Sequence, residues 1–145
     1  MGVIVTKKAF NLRSKLNELN FSTVPYEKMP PGSIIQVRQS SFNTHATFNN
    51  SSFSAISGFT VDITPRSSSN TILITVNLLL EIRSASIVPI ELTRGGSSIF
   101  TNSPESTSKL TYGVQTRTSN GDYAFNNYIG AGPANSYLTV MEVVG

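Results

Sequence analysis

The sequence predicts an all-β fold: an antiparallel β-sandwich or jelly roll of about eight strands, preceded by a short N-terminal helical arm. Three observations predict it. Short runs alternate apolar and polar residues, as half-buried strands do. Turn signals rich in Gly, Pro, Ser and Asn recur about every ten residues. No helical pattern separates the runs, which excludes a parallel sheet with crossover helices.

The arm comes first. Ala9, Leu12, Leu16 and Leu19 share one helical face, with Lys8, Arg13 and Lys15 off that stripe. Thr6 is placed to cap the start, and Val24-Pro25 stops the helix, because proline lacks an amide donor and restricts the residue before it. A helix of about four turns is marginal alone in water, so the arm needs a docking surface, on its own body or on another chain. Glu27 to Gly32, with Pro30 and Pro31, reads as an extended linker. The chain thus divides into an arm and linker over 1–29 and a sandwich domain over 30–145.

The strands follow. Ser33–Gln39 places Ile35 and Val37 on one face. Gly58–Thr64 points Phe59, Val61 and Ile63 inward. Thr71–Ile82 is the longest run, with Ile72, Ile74, Val76, Leu78, Leu80 and Ile82 in register. Its other face carries Leu73 and Leu79, where a strand facing water should be polar. These two leucines therefore predict cover by a loop, the arm or a neighbouring subunit. Ile90 and Leu92 lead into Arg94-Gly95-Gly96-Ser97, a hairpin turn. Leu110, Tyr112 and Val114 alternate in the next run, and Asn120-Gly121 is a hairpin signal. Asp122–Ile129 and Ser136–Val144 complete the set, with Phe125, Leu138 and Val140 in the core.

Composition narrows the function. The chain has 145 residues, of which 13% are charged, about half the usual share. Ser, Thr and Asn make up about a third. There is no Cys, which excludes a disulfide framework, a thiolate metal site and a cysteine nucleophile. The formal net charge of +3 sits in the arm. Residues 1–28 hold Lys7, Lys8, Arg13, Lys15 and Lys28 against Glu18 and Glu27; the remainder holds six cations against six carboxylates. A neutral body has no phosphate-tracking stripe, so no nucleic-acid partner is expected. No apolar run reaches the ~18 residues of a membrane span, so no membrane insertion is expected.

Nothing in the pattern supports catalysis. The single histidine, His45, has no Asp or Glu within ten residues to orient it. The carboxylates are scattered, and no acidic loop or phosphate-binding glycine pattern is present. No enzyme activity and no cofactor are expected. Gln39–Ser57 is the one long loop candidate, with Phe42, His45, Phe48 and Phe53 among Ser, Asn and Thr. It reads either as a glycan-contact surface or as an irregular strand with its phenylalanines tucked inside.

Four stretches carry a family likeness: Pro31-Gly32-Ser33-Ile34-Ile35-Gln36-Val37; Phe59-Thr60-Val61-Asp62-Ile63-Thr64-Pro65 with the Ser/Asn turn and Ile72-Leu73-Ile74 after it; Leu92-Thr93-Arg94-Gly95-Gly96-Ser97; and Ser136-Tyr137-Leu138-Thr139-Val140-Met141-Glu142-Val143. Over roughly residues 31–145 the chain resembles the C-terminal β-sandwich domains of tail-fibre and related virion proteins of tailed bacteriophages, often those of cyanobacterial or aquatic hosts. The resemblance implies a non-catalytic homotrimeric virion component, assembled in the host cytoplasm. On that reading Lys7, Lys8, Phe10, Leu12, Arg13, Lys15, Leu16 and Leu19 anchor the arm to other virion proteins. Leu73 and Leu79 meet neighbouring subunits, and the Phe42–Phe53 loop touches host surface glycan. A tail appendage, a capsid decoration protein and a free lectin-like module all remain open.

Overall fold

The computed structural model describes residues 25–82, 84, 87–99, 103–119, 121–125 and 135–145. The expected helix, with Lys7, Lys8, Phe10, Leu12, Arg13, Lys15, Leu16 and Leu19, lies outside the described residues. The chain divides into two units, Met1–Pro30 and Pro31–Gly145. The described part of the first contains one 3-10 turn, Tyr26–Lys28, in which the Pro25 carbonyl accepts from the Lys28 N–H at 2.9 Å.

The second unit is all-β, with ten strands among the described residues: β1 (Ile34–Phe42), β2 (Ala46–Phe48), β3 (Ser54–Ile63), β4 (Thr71–Asn77), β5 (Leu80–Ile82), β6 (Ile90–Arg94), β7 (Ser97–Ser98), β8 (Leu110–Thr116), β9 (Tyr123–Phe125) and β10 (Ser136–Val143). Every pairing is antiparallel. Sheet I runs β1-β10-β4, sheet II β2-β9-β5 and sheet III β3-β8-β6-β7.

The rise from about eight strands to ten has local causes. The run over 71–82 is not one strand. It breaks at Leu78 and Leu79, so that β4 joins sheet I and β5 joins sheet II. The corner is held by the Leu79 N–H, which donates to Ser136 Oγ at 3.1 Å. The expected long loop over Gln39–Ser57 is mostly strand: β1 extends to Phe42, β2 lies within it, and β3 starts at Ser54. A register shift between Ala55 and Thr60, with Gly58 at φ 80°, bulges β3 and turns both Ile56 and Phe59 inward.

Two glycine turns behave differently. Gly95 and Gly96, at φ 60° and 86°, close the two-residue β6–β7 hairpin, which needs positive φ at both positions. Gly121 also has positive φ, 79°, yet makes no hairpin: β8 and β9 lie in different sheets. A Cβ on Gly121 would stand 2.5 Å from the Ser84 carbonyl carbon and oxygen. Ser84 Oγ accepts there from the Asp122 N–H at 3.0 Å, so the turn ties the chain to the end of β5.

The inward faces of all three sheets share one core. Phe59, Ile63, Ile72, Val114, Tyr123, Phe125, Leu138 and Val140 are buried. Phe42 of β1 packs its ring 5.5 Å from Phe59 of β3, joining sheets I and III. In sheet II, Phe48 stacks on Tyr123 at 5.6 Å and meets the edge of Phe125 at 5.4 Å. Two expected core residues, Val37 and Ile90, are exposed, and several others, among them Ile35, Ile74 and Val76, are only half-buried. Val37 is 55% exposed, because a bulge between Ile34 and Gln36 makes Ile35 the extra residue, itself half-buried. After it, Gln36, Arg38, Ser40 and Phe42 fall in the inner phase, although Arg38 stays exposed, and Val37 turns out. Ile90, at the open end of β6, is 37% exposed.

Candidate functional site

Directly opposed residues of an antiparallel ladder lie on the same side of the sheet. The register of sheet I therefore fixes its outer face in rows across three strands. From one end these are Ile34–Val143–Thr71, Val37–Met141–Leu73, Gln39–Thr139–Thr75 and Ser41–Tyr137–Asn77. None of the twelve residues is charged. The first two rows are apolar apart from Thr71, with Ile34 51%, Val37 55% and Leu73 45% exposed around a half-buried Met141. The other two rows are polar, and Gln39 Nε2 donates to Thr139 Oγ1 at 2.9 Å. Among the described residues both outer strands of sheet I, β1 and β4, are edges, and Arg38 is the one charge in either. Natural edge strands usually carry charges, Pro, a bulge or short length to prevent further pairing; β1, of nine residues, has Arg38 and its bulge, whereas β4, of seven, has none of these.

The outer face of sheet III is built from the opposite chemistry. Thr111 Oγ1 donates to Asp62 Oδ1 at 2.6 Å, and Lys109 pairs with Asp62 Oδ2 at 3.0 Å. These two contacts, the Thr111 bond first, hold the Asp62 carboxyl below its usual range. Glu91 Oε2 accepts from Ser98 Oγ at 2.5 Å and from Gln115 Nε2 at 2.8 Å, and those bonds lower the Glu91 carboxyl likewise. Between the two clusters Thr60, Gly113 and Thr93 pair across β3, β8 and β6.

The expected contact residues fall in separate places. Leu73 stands on the outer face of sheet I, whereas Leu79 is half-buried at the sheet I–sheet II corner. Phe42 faces the core, and Phe48 is half-buried in the aromatic cluster of sheet II. His45 is exposed between β1 and β2. Phe53 is half-buried with the Arg117 guanidinium 5.1 Å from its ring centre. Beside it, a shallow polar hollow of about 370 Å³ is lined by Asn49, Asn50, Ser51, Ser52, Phe53 and Ser54. The four loop residues thus do not converge on one surface.

Ile34, Val37, Met141 and Val143 escaped the sequence reading as contact residues. The alternation of Ser136–Val143 does carry the signal for Met141 and Val143, since Leu138 and Val140 take the inner phase. The bulge hides it for Ile34 and Val37. Among the described residues no group of three or more His, Cys, Asp or Glu is placed to hold a metal ion. No protein-family model matches the chain, and no curated protein or solved structure shows a significant match to it.

Proposed function

We propose that the chain is a non-enzymatic structural subunit of a tailed-phage particle, a small tail appendage whose body is a jelly-roll β-sandwich. The body packs against further copies of itself through the outer face of sheet I, in a homotrimer, and the basic arm plugs the assembly into another virion protein. One observation carries the self-packing in this reading: a three-stranded face with no charge, an apolar row and, among the described residues, an edge strand, β4, with no charge, bulge or proline. Such a face can meet its own copy without like-charge repulsion, whereas burial against an acidic or basic partner would leave that partner's charges unpaired. By strand spacing and rise the face covers about 350 Å², less than the ~800 Å² each partner gives to a standard interface. A ring in which each subunit also contributes an edge strand and its arm supplies the rest. Partner classes follow the same chemistry: other virion proteins, not nucleic acid or lipid.

Because the chain has no cysteine, a single introduced one is a unique reporter. Leu73→Cys is expected to give covalent dimers with a short bifunctional maleimide, while Thr60→Cys on sheet III stays monomeric on a denaturing gel. Equal cross-linking from both positions overturns the reading. Deleting residues 1–24 is expected to leave a soluble body that no longer enters particles; incorporation of the truncated chain removes the arm from the account. Copy number per particle separates a tail appendage, in tens, from a capsid decoration protein, in hundreds.

The hollow at Asn49–Ser54 supports a second reading, a lectin-like module with amide and hydroxyl donors beside the Phe53 ring. A glycan array on the purified chain tests it, with binding expected to fall on Phe53→Ala. Silence on the array removes both this reading and host-glycan contact.

A further inference from the structure

At the Ile34–Val143 end of sheet I, two buried oxygen atoms stand without donors. Glu142, on the inner side of β10, is fully buried. Its Oε1 takes three donors from the turn between β3 and β4: the Arg66 N–H at 2.7 Å, the Ser67 N–H at 3.3 Å and Asn70 Nδ2 at 2.7 Å. Its Oε2 takes none. Directly across the ladder stands Gln36 of β1, the register partner of Glu142 and on the same side. Gln36 Nε2 donates to the Thr64 carbonyl at 3.4 Å, and Gln36 Oε1, also buried, has no donor.

Opposed side chains of such a pair start about 5 Å apart at Cβ, so the two bare acceptors belong to one small polar site. Turning the Gln36 amide over would not resolve it, since Oε1 would then face the Thr64 carbonyl, acceptor against acceptor. With Glu142 as the carboxylate the site takes a molecule that donates twice; the acid form would instead donate Oε2–H straight to Gln36 Oε1. A calcium ion is the poorer fit: it takes six to eight oxygens, and this site has a single carboxylate whose other oxygen is already committed to three N–H groups. We propose that one internal water molecule bridges Glu142 Oε2 and Gln36 Oε1, donating one hydrogen to each. Buried waters characteristically occupy such positions, closing hydrogen bonds that side chains cannot. The water completes a network joining the start of β1, the β3–β4 turn and the last residues of the chain. In that network the Gly145 N–H donates to Asn70 Oδ1 at 3.4 Å, and the Gly32 N–H donates to the Val144 carbonyl at 2.8 Å. This inference is independent of the proposed function.

A high-resolution crystal structure of the full chain, read with water-to-amide NMR transfer, tests it. The expected result is a solvent peak about 2.8 Å from both oxygens and a long-lived water cross-peak to the Ser67 and Asn70 amides. Glu142→Gln keeps the Oε1 acceptor and sets an N–H donor toward Gln36 Oε1, so the water and its cross-peak are expected to vanish with the fold intact. Gln36→Leu, which removes one acceptor at an edge strand, is expected to lose the same signal if the first variant does not fold. Three results overturn the proposal: the two oxygens in direct contact with no solvent between, an ion about 2.4 Å from several oxygens, or a cross-peak unchanged in the variants.

Discussion

The outer faces of sheets I and III use the same backbone geometry and share one core, yet they are finished differently. On sheet III every carboxylate is answered within the face: Asp62 by Thr111 and Lys109, Glu91 by Ser98 and Gln115. That face is complete in water. On sheet I the outward residues hold no charge, and Val37, Met141 and Leu73 form a row that water cannot satisfy. Burial pattern alone therefore does not tell an inner face from an outer one. The inner positions of β10 include a buried Ser and a buried Glu, and its outer positions include Met141 and Val143.

The largest effect is expected where both sheets depend on the same side chain. Phe59 is fully buried and packs on Phe42, so Phe59→Ala should cost about 3–5 kcal/mol in denaturant unfolding and disturb both faces together. A loss confined to one sheet in amide exchange would contradict a common core. Next, Leu73→Glu places a charge in the apolar row. Self-association should weaken at least tenfold by analytical ultracentrifugation, while the body unfolds within about 0.5 kcal/mol of the parent.

The carboxylates of sheet III predict a pH response. Asp62 and Glu91 sit below their ordinary values of 3.8 and 4.5 in the folded chain, so the unfolded chain takes up protons first. Their contribution is complete above those values and is lost as pH falls through the lower folded ones. Paired Asp62→Asn and Glu91→Gln should flatten stability below about pH 4.5 without changing association. A change in association would place the interface on sheet III instead. The smallest effect is expected for Gly113→Ala, whose Cβ would meet Thr93 Oγ1 at 3.2 Å and Thr60 Cγ2 at 3.3 Å. Side chains can yield by tenths of an ångström, so unfolding should move by under about 1 kcal/mol.

Much of this was legible in the sequence where alternation runs undisturbed. Phe59, Val61 and Ile63 face the core as the pattern requires, as do Leu138 and Val140, and Gly95-Gly96 closes a hairpin. The pattern failed where the chain breaks phase. One extra residue at Ile35 turned Val37 outward, and a corner at Leu78–Leu79 divided an unbroken apolar run between two sheets. Turn chemistry locates a bend but does not choose the strand that follows, which is why Gly121 leads to sheet II and not back along sheet III. Leu73 was found because an apolar residue interrupts the polar phase of its strand. Its neighbours Met141 and Val37 needed the register, which only long-range pairing supplies.

The central claim is that copies of this chain cover the outer face of sheet I, and the most direct test is the solution mass of the full chain by sedimentation equilibrium beside Met141→Lys. A trimer that falls to a folded monomer on substitution is the result predicted. A parent chain that is monomeric at every concentration, or a substituted chain whose mass is unchanged, contradicts it.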